Sequence, residues 1–283
     1  SNSKHVSLAV QGQYLYGAPA AGNKLSTQVS TSLWRKPIAS LADFEFGDIN
    51  AQQLRQRITL EDQTLDQQGL GNISFRPDWQ QLNSPVKVNF ISSLYETGGR
   101  AITRTQPTLI WPQPQMLGIR SHFSNNNPEA NSRVSFDIIK ASVDGTKHPA
   151  KALDIKLIRE DRRYFWVYSN DRGWHYEWHD NEYVTLTRSL TLDADNLGQI
   201  SLPVTWGNYR LEVREHSQQL LTSTRFYAGW NWYENWQNSQ QGSGAARPDQ
   251  VTMALDKAAY HTGDTIKVKV IPPQAGEALI MVE

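Results

Sequence analysis

The chain has 283 residues, room for two domains of ordinary size with some left over. Lys+Arg and Asp+Glu each total 28, which argues against the basic excess of a nucleic-acid binder, and no window of 18 or more apolar residues offers a membrane-spanning helix. Cysteine is absent, which removes disulfides, thiolate metal sites and cysteine nucleophiles together, and the start Ser1-Asn2-Ser3-Lys4 shows no signal-peptide pattern.

Ten Trp and 11 Tyr against 3 Met point towards sheet. Val6, Leu8 and Val10 alternate with period two and predict a first strand. Ala51–Arg57 is the best helical candidate and is short. Val86, Val88 and Phe90 repeat the strand pattern, as do Leu211 and Val213, then Ile266, Val268 and Val270. Turn residues punctuate the strands at Gly98-Gly99, Asn125-Asn126-Asn127-Pro128, Asp144-Gly145 and Asp171-Arg172-Gly173. Short strands between such clusters, with no long 3.6-residue periodicity, predict an all-β sandwich or barrel.

The chain also repeats itself. The pattern L-D-x-x-x-L-G-x-I-S-[FL] starts at Leu65 and again at Leu192, an offset of 127 residues. Ile102-Thr103-Arg104-Thr105 is answered by Leu221-Thr222-Ser223-Thr224 at an offset of 119. Offsets this large mean duplicated whole domains, not a solenoid. The expected division is a sandwich over 1–112, a second over 113–229, a Trp-rich then flexible linker over 230–249, and over 250–283 the opening of a third domain cut short.

Tyr14-Leu15-Tyr16-Gly17-Ala18-Pro19-Ala20 is similar to the start of a macroglobulin-like domain in bacterial alpha-2-macroglobulins. Trp206-Gly207-Asn208-Tyr209-Arg210-Leu211-Glu212-Val213, followed by Arg225-Phe226-Tyr227-Ala228-Gly229-Trp230, is similar to the end of the next. Asp256–Thr265, running on to Glu283, resembles the opening of the bait-bearing domain, and Phe44-Glu45-Phe46-Gly47 and the aromatic stretch Tyr164–Tyr168 fit as well. On its own physics, Gly207-x-Tyr209 before an alternating strand suits a tyrosine corner.

The resemblance implies tandem fibronectin-like antiparallel β-sandwiches of the macroglobulin type, and a parent that traps proteases after they cut its bait. It implies a scaffold role for this chain, not an enzyme, with no cofactor and no metal. The partners it implies are proteases, met through parts of the parent outside this chain, and neighbouring domains of the same polypeptide. It further implies export to the periplasm, with anchoring to the inner membrane through a lipid on the parent's own N-terminus. The thioester motif of many members needs a cysteine and is not in this chain. The alternative is a carbohydrate-binding or adhesin-like array of sandwiches, motivated by the tryptophans.

Sharper site readings meet plainer ones. His175 and His179 share a strand face but stand about 13 Å apart at the usual strand rise, too far for one metal ion. Tyr164–Tyr168 and Trp174–Trp178 predict a hairpin whose aromatics serve sheet packing or a sugar platform. Asp193-Ala194-Asp195-Asn196-Leu197-Gly198 resembles half a calcium loop without its closing Glu, and reads as a turn. Trp230, Trp232, Tyr233 and Trp236 form the densest aromatic cluster and are the candidate interface or binding residues. Nucleophile elbows and phosphate loops are absent from the sequence.

Overall fold

The computed structural model describes residues 6–51, 54–77, 82–96, 98–123, 127–169, 173–192, 197–229 and 251–271, with 277 and 279, and gives the backbone alone for 162–168, 173–180, 252 and 271. All regular elements among them are strands, apart from two single 3-10 turns. The strands are β1 (Val6–Gln11), β2 (Lys24–Leu33), β3 (Glu45–Phe46), β4 (Gln56–Thr59), β5 (Gln63–Thr64), β6 (Leu70–Phe75), β7 (Val86–Tyr95), β8 (Ala101–Ile110) and β9 (Met116–Ser121). There follow β10 (Ser132–Ala141), β11 (Ala150–Ser169), β12 (Gly173–Leu192), β13 (Leu197–Val204), β14 (Gly207–Glu215), β15 (Leu220–Ala228), β16 (Thr252–Leu255) and β17 (Val268–Ile271). All ladders are antiparallel, as the all-β sandwich reading requires.

In the first sandwich the ribbon β1-β6 is one layer, and β4-β2-β7-β8, with β5 on the end of β2, is the other. Alternation decides which side chains meet: Val86, Val88 and Phe90 are fully buried, while Lys87 and Asn89 between them are not. They pack with Leu25, Val29, Ile73 and Phe75, and with Val6, Leu8 and Val10 of β1. Each such side chain contributes roughly 1.5–3 kcal/mol on burial.

The second sandwich stacks β13-β10-β9-β3 on β12-β11-β14-β15. Leu117, Ile119, Phe136 and Ile138 of one sheet meet Leu153, Ile155, Leu211 and Val213 of the other. The tyrosine corner is formed: the Thr205 amide donates to the Tyr209 hydroxyl at 3.1 Å, and the Tyr209 ring is buried.

Both repeats mark equivalent structure. Leu65 and Leu192 are core residues, and the strands that follow, β6 and β13, bury Phe75 and Leu202 at matching positions. In the first copy Asp66 Oδ1 accepts from the Gln68 and Leu70 amides, and Gly69, at φ +74°, leaves no room for a β-carbon beside the Gly12 carbonyl. Ile102–Thr105 and Leu221–Thr224 lie on β8 and β15, each at the end of its sheet's strand order.

Two expectations need correction. The helical candidate Ala51–Arg57 gives way at Gln56 to β4, whose pairing with β2 outweighs local propensity. Ile266 falls outside β17 and is exposed, so the last alternating face begins at Val268.

Among the described residues, β11 beyond Glu160 pairs with β12 alone, so 161–169 and 173–181 run on as a two-stranded ribbon. The register sets Tyr164 opposite Trp178, Trp166 opposite Tyr176 and Tyr168 opposite Trp174, which bears out the hairpin. The β16-β17 hairpin meets the second sandwich through the Ala130 amide, which donates to the Asp256 carbonyl at 3.3 Å.

Candidate functional site

The densest gathering of buried polar and apolar groups from distant parts of the chain lies between the two sandwiches. It grows from residues 34–50, which leave β2 and cross to the neighbouring domain. The Phe46 amide donates to the Arg35 carbonyl at 2.8 Å and closes this excursion on itself. Ile38, Leu41, Phe44 and Phe46 then form a separate core with Met116, Ile139 and Ala141, flanked by Trp111 and Leu197. The Phe46 and Trp111 rings stand 5.3 Å apart at 63°, an edge-on arrangement.

Within this core β3 joins the second sandwich's sheet, with Glu45 opposite Ile119 and Phe46 opposite Gly118. The outer edge of β9, otherwise a row of unpaired amides and carbonyls, is thereby covered by the first domain's own chain.

Polar groups seal the rim. Thr222 Oγ1 donates to the Leu117 carbonyl at 2.7 Å and accepts from the Gly47 amide at 3.1 Å. The Ser223 amide donates to the Gly47 carbonyl at 3.1 Å. Ser223 Oγ donates to Asp48 at 2.7 Å and accepts from the Ile49 amide at 3.0 Å. Thr224 Oγ1 donates to Glu45 Oε2 at 3.0 Å, and Arg35 donates to Glu45 and to the Gly47 and Ser223 carbonyls. Burial pulls the Arg35 guanidinium below its ordinary value, against the opposing effect of Glu45. Gly47, at φ +81°, turns the chain where a β-carbon would strike Ser84.

Charge continues the contact across the outer sheet. Arg210 binds Glu160 at 2.7 Å, Glu182 at 2.7 Å and Glu212 at 3.1 Å. Arg225 binds Glu160 at 2.7 Å and reaches over to Asn50 of the first domain. On the other sheet, Asp137 receives Arg120 Nε at 2.9 Å and lies 2.8 Å from His122 Nε2, while the Arg120 guanidinium stands 4.9 Å over the Phe44 ring.

This arrangement joins and stiffens: most of its polar groups are spent on one another, while Arg35 Nε and Trp111 Nε1 are buried without a hydrogen-bond partner. Sequence reasoning quoted Phe44–Gly47 and Leu221–Thr224 separately and did not bring them together. The signal that could have found them is a run of three hydroxyl residues, Thr222-Ser223-Thr224, on a strand that also carries core residues. The candidate residues Trp230, Trp232, Tyr233 and Trp236 lie outside the described residues, as do Asp193 to Asn196. His175 and His179 sit on β12 opposite Val167 and Arg163.

Comparison with known proteins matches residues 1–112 to the bacterial alpha-2-macroglobulin MG5 domain and residues 118–230 to bacterial macroglobulin domain 6. Alpha-2-macroglobulin of Escherichia coli K12 is 39% identical over 98% of this chain, and that of Xylella fastidiosa 9a5c is 35% identical over 98%. The chain spans 17% of the length of each of these relatives. Among solved structures, the native conformation of E. coli alpha-2-macroglobulin matches with a TM-score of 0.76 at 39% identity, over 96% of this chain and 18% of that one. The trypsin-activated E. coli protein matches at 0.68 and 36% identity, over 93% of this chain and 18% of that one.

Proposed function

This chain belongs to the bacterial alpha-2-macroglobulins, as consecutive macroglobulin domains, and from that premise we propose that it serves its parent as a rigid frame for protease trapping. The observation that carries this reading is β3, a strand of the first domain that completes the sheet of the second. Two sandwiches joined only by residues 111–115 would flex and absorb a rearrangement. Two that share a sheet and a buried core transmit it.

On this reading the chain is inhibitor scaffold, not enzyme, and the parent meets proteases through parts outside it. The parent works in the periplasm, held at the inner membrane by a lipid on its own N-terminus.

The test uses the full-length parent with an excess of a trypsin-like protease, assayed on a small peptide and on a bulky protein. Retained peptide cleavage with lost protein cleavage supports trapping; both activities untouched would overturn it. The chain of 283 residues alone is expected to leave both activities unchanged.

A further inference from the structure

The ribbon that β11 and β12 form beyond the sheet has two unlike faces. Residues alternate between the faces of a strand, and on β11 the odd positions Leu153, Ile155 and Leu157 belong to the core of the second sandwich. The even positions belong to the outer face, where Glu160 meets Arg210 and Arg225. The register runs unbroken from Ile158 to Ser169. It gives that outer face Tyr164 opposite Trp178, Trp166 opposite Tyr176 and Tyr168 opposite Trp174. The other face receives Phe165 opposite Glu177 and Val167 opposite His175. Packing in the sandwich core therefore does not account for the outer positions, which continue the side of the sheet away from it.

These positions form a narrow strip. It is two strands wide, with strands about 4.8 Å apart, and its rungs span about 13 Å at the usual strand rise. A stable protein interface buries about 800 Å² on each partner, far more than such a strip offers. A bilayer suits it no better. The rungs that lead to it, Glu160 opposite Glu182 and Arg162 opposite Asp180, are acidic but for Arg162, whereas an anionic lipid surface calls for clustered Lys and Arg. The strip is composed of Trp and Tyr alone, with no aliphatic residue. Indole and phenol groups each join a broad, electron-rich apolar face to one polar tip. A pyranose ring has the complementary build, with C–H groups on its faces and hydroxyls around its rim.

We propose that the outer face of the ribbon, at Tyr164, Trp166, Tyr168, Trp174, Tyr176 and Trp178, binds a β-1,4-linked glycan strand. Equatorial β-1,4 linkages keep successive sugar rings in one straight, flat ribbon, as a straight line of rungs requires. An α-1,4-linked chain curves away from such a line. The inference is independent of the scaffold reading, because it concerns binding with no protease present.

The test titrates the full-length parent with chitohexaose and cellohexaose by calorimetry, with maltohexaose as the α-linked control, and locates the contact by hydrogen exchange. At least one β-linked sugar is expected to bind and to slow exchange within 161–181, and maltohexaose to bind at least about tenfold more weakly. Trp166→Ala with Tyr176→Ala should weaken binding at least about tenfold, while Phe165→Ala, on the opposite face of the same ribbon, should change it by less than about twofold. Equal losses in the two variants would mean that the ribbon's stability, not its outer face, is being read, and would count against the site. Absence of binding by both β-linked sugars at millimolar concentration, or protection elsewhere in the parent, would overturn the proposal. So would protection of 161–181 by anionic phospholipid vesicles and not by sugar, which would mark a membrane contact. None of these readouts requires trapping, so failure of the scaffold reading would not mimic failure here.

Discussion

Phe46 occupies the space that a side chain on Gly118 would need: a β-carbon built there would stand 2.9 Å from Phe46 Cε1 and 3.0 Å from Ile139 Cγ1. Because Trp111 backs the Phe46 ring, the ring has little freedom to retreat. Gly118→Ala is therefore expected to destabilise the protein by about 1–3 kcal/mol through overpacking. Phe46→Ala, which empties the same space, should cost about 3–5 kcal/mol. Urea denaturation reads both. The diagnostic result is faster hydrogen exchange at Leu117 to Ile119 in each variant, and unaltered exchange there would show that β3 does not hold the sheet edge.

Thr222 ties β3's loop to β9 from a third strand. Thr222→Val keeps its shape and removes the oxygen that the buried Gly47 amide and Leu117 carbonyl use. An amide left buried without a partner costs about 1–3 kcal/mol, so the loss should fall in that range. Thr103→Val, at the matching position on exposed β8, should change stability by less than about 0.5 kcal/mol. Equal effects at the two sites would mean that the joint contributes nothing beyond strand propensity.

That contrast also marks where sequence reading stops. Val86, Val88 and Phe90 were legible as a core face because a strand half-buried in a sandwich must alternate. Tyr209 was legible because a Gly-x-Tyr ahead of a strand has few other uses. The repeat at Leu65 and Leu192 was legible because both copies set a core leucine ahead of a strand that buries Phe75 or Leu202 at the same spacing. Thr103 and Thr222 carry the same local signal, yet one is exposed and the other buried. What covers Thr222 is the loop at Gly47, 175 residues earlier in the chain, and no local pattern encodes that meeting. Phe44 and Phe46 likewise announce burial without saying in which domain.

Acid should loosen the joint through Asp137. Burial alone pushes this carboxyl up, but hydrogen bonds from Arg120 and His122 outweigh it and hold it below the usual carboxylate range. A carboxyl depressed in the folded state adds stability above its unfolded value, near about 3.9, and loses it as pH falls through the folded value. Asp137→Asn should therefore be less stable at neutral pH and show a flatter decline on the acid side. Urea midpoints measured from neutral pH downwards test this. If the variant keeps the wild-type acid slope, Asp137 is not the group that titrates.

Arg210 holds together charges that would otherwise repel. Glu160 and Glu182 face each other directly across β11 and β12, and Arg210 and Arg225 do the same across β14 and β15. The bridges Arg210–Glu160, Arg210–Glu182 and Arg225–Glu160 make these like pairs tolerable. Arg210 is nearly buried, and removing one partner of a buried cluster costs about 3–5 kcal/mol. Arg210→Met keeps the aliphatic stem and strands the carboxylates, so its loss should approach that range. Adding Glu160→Gln to it should recover part of the loss, because one of the stranded charges is gone. Arg225→Met, on a partly exposed side chain, should cost less than Arg210→Met. Denaturation of Arg210→Met, of Glu160→Gln and of the variant carrying both gives the coupling directly. A double variant whose loss equals the sum of the single losses would mean that the cluster adds no cooperative stability to the sheet leading into the ribbon.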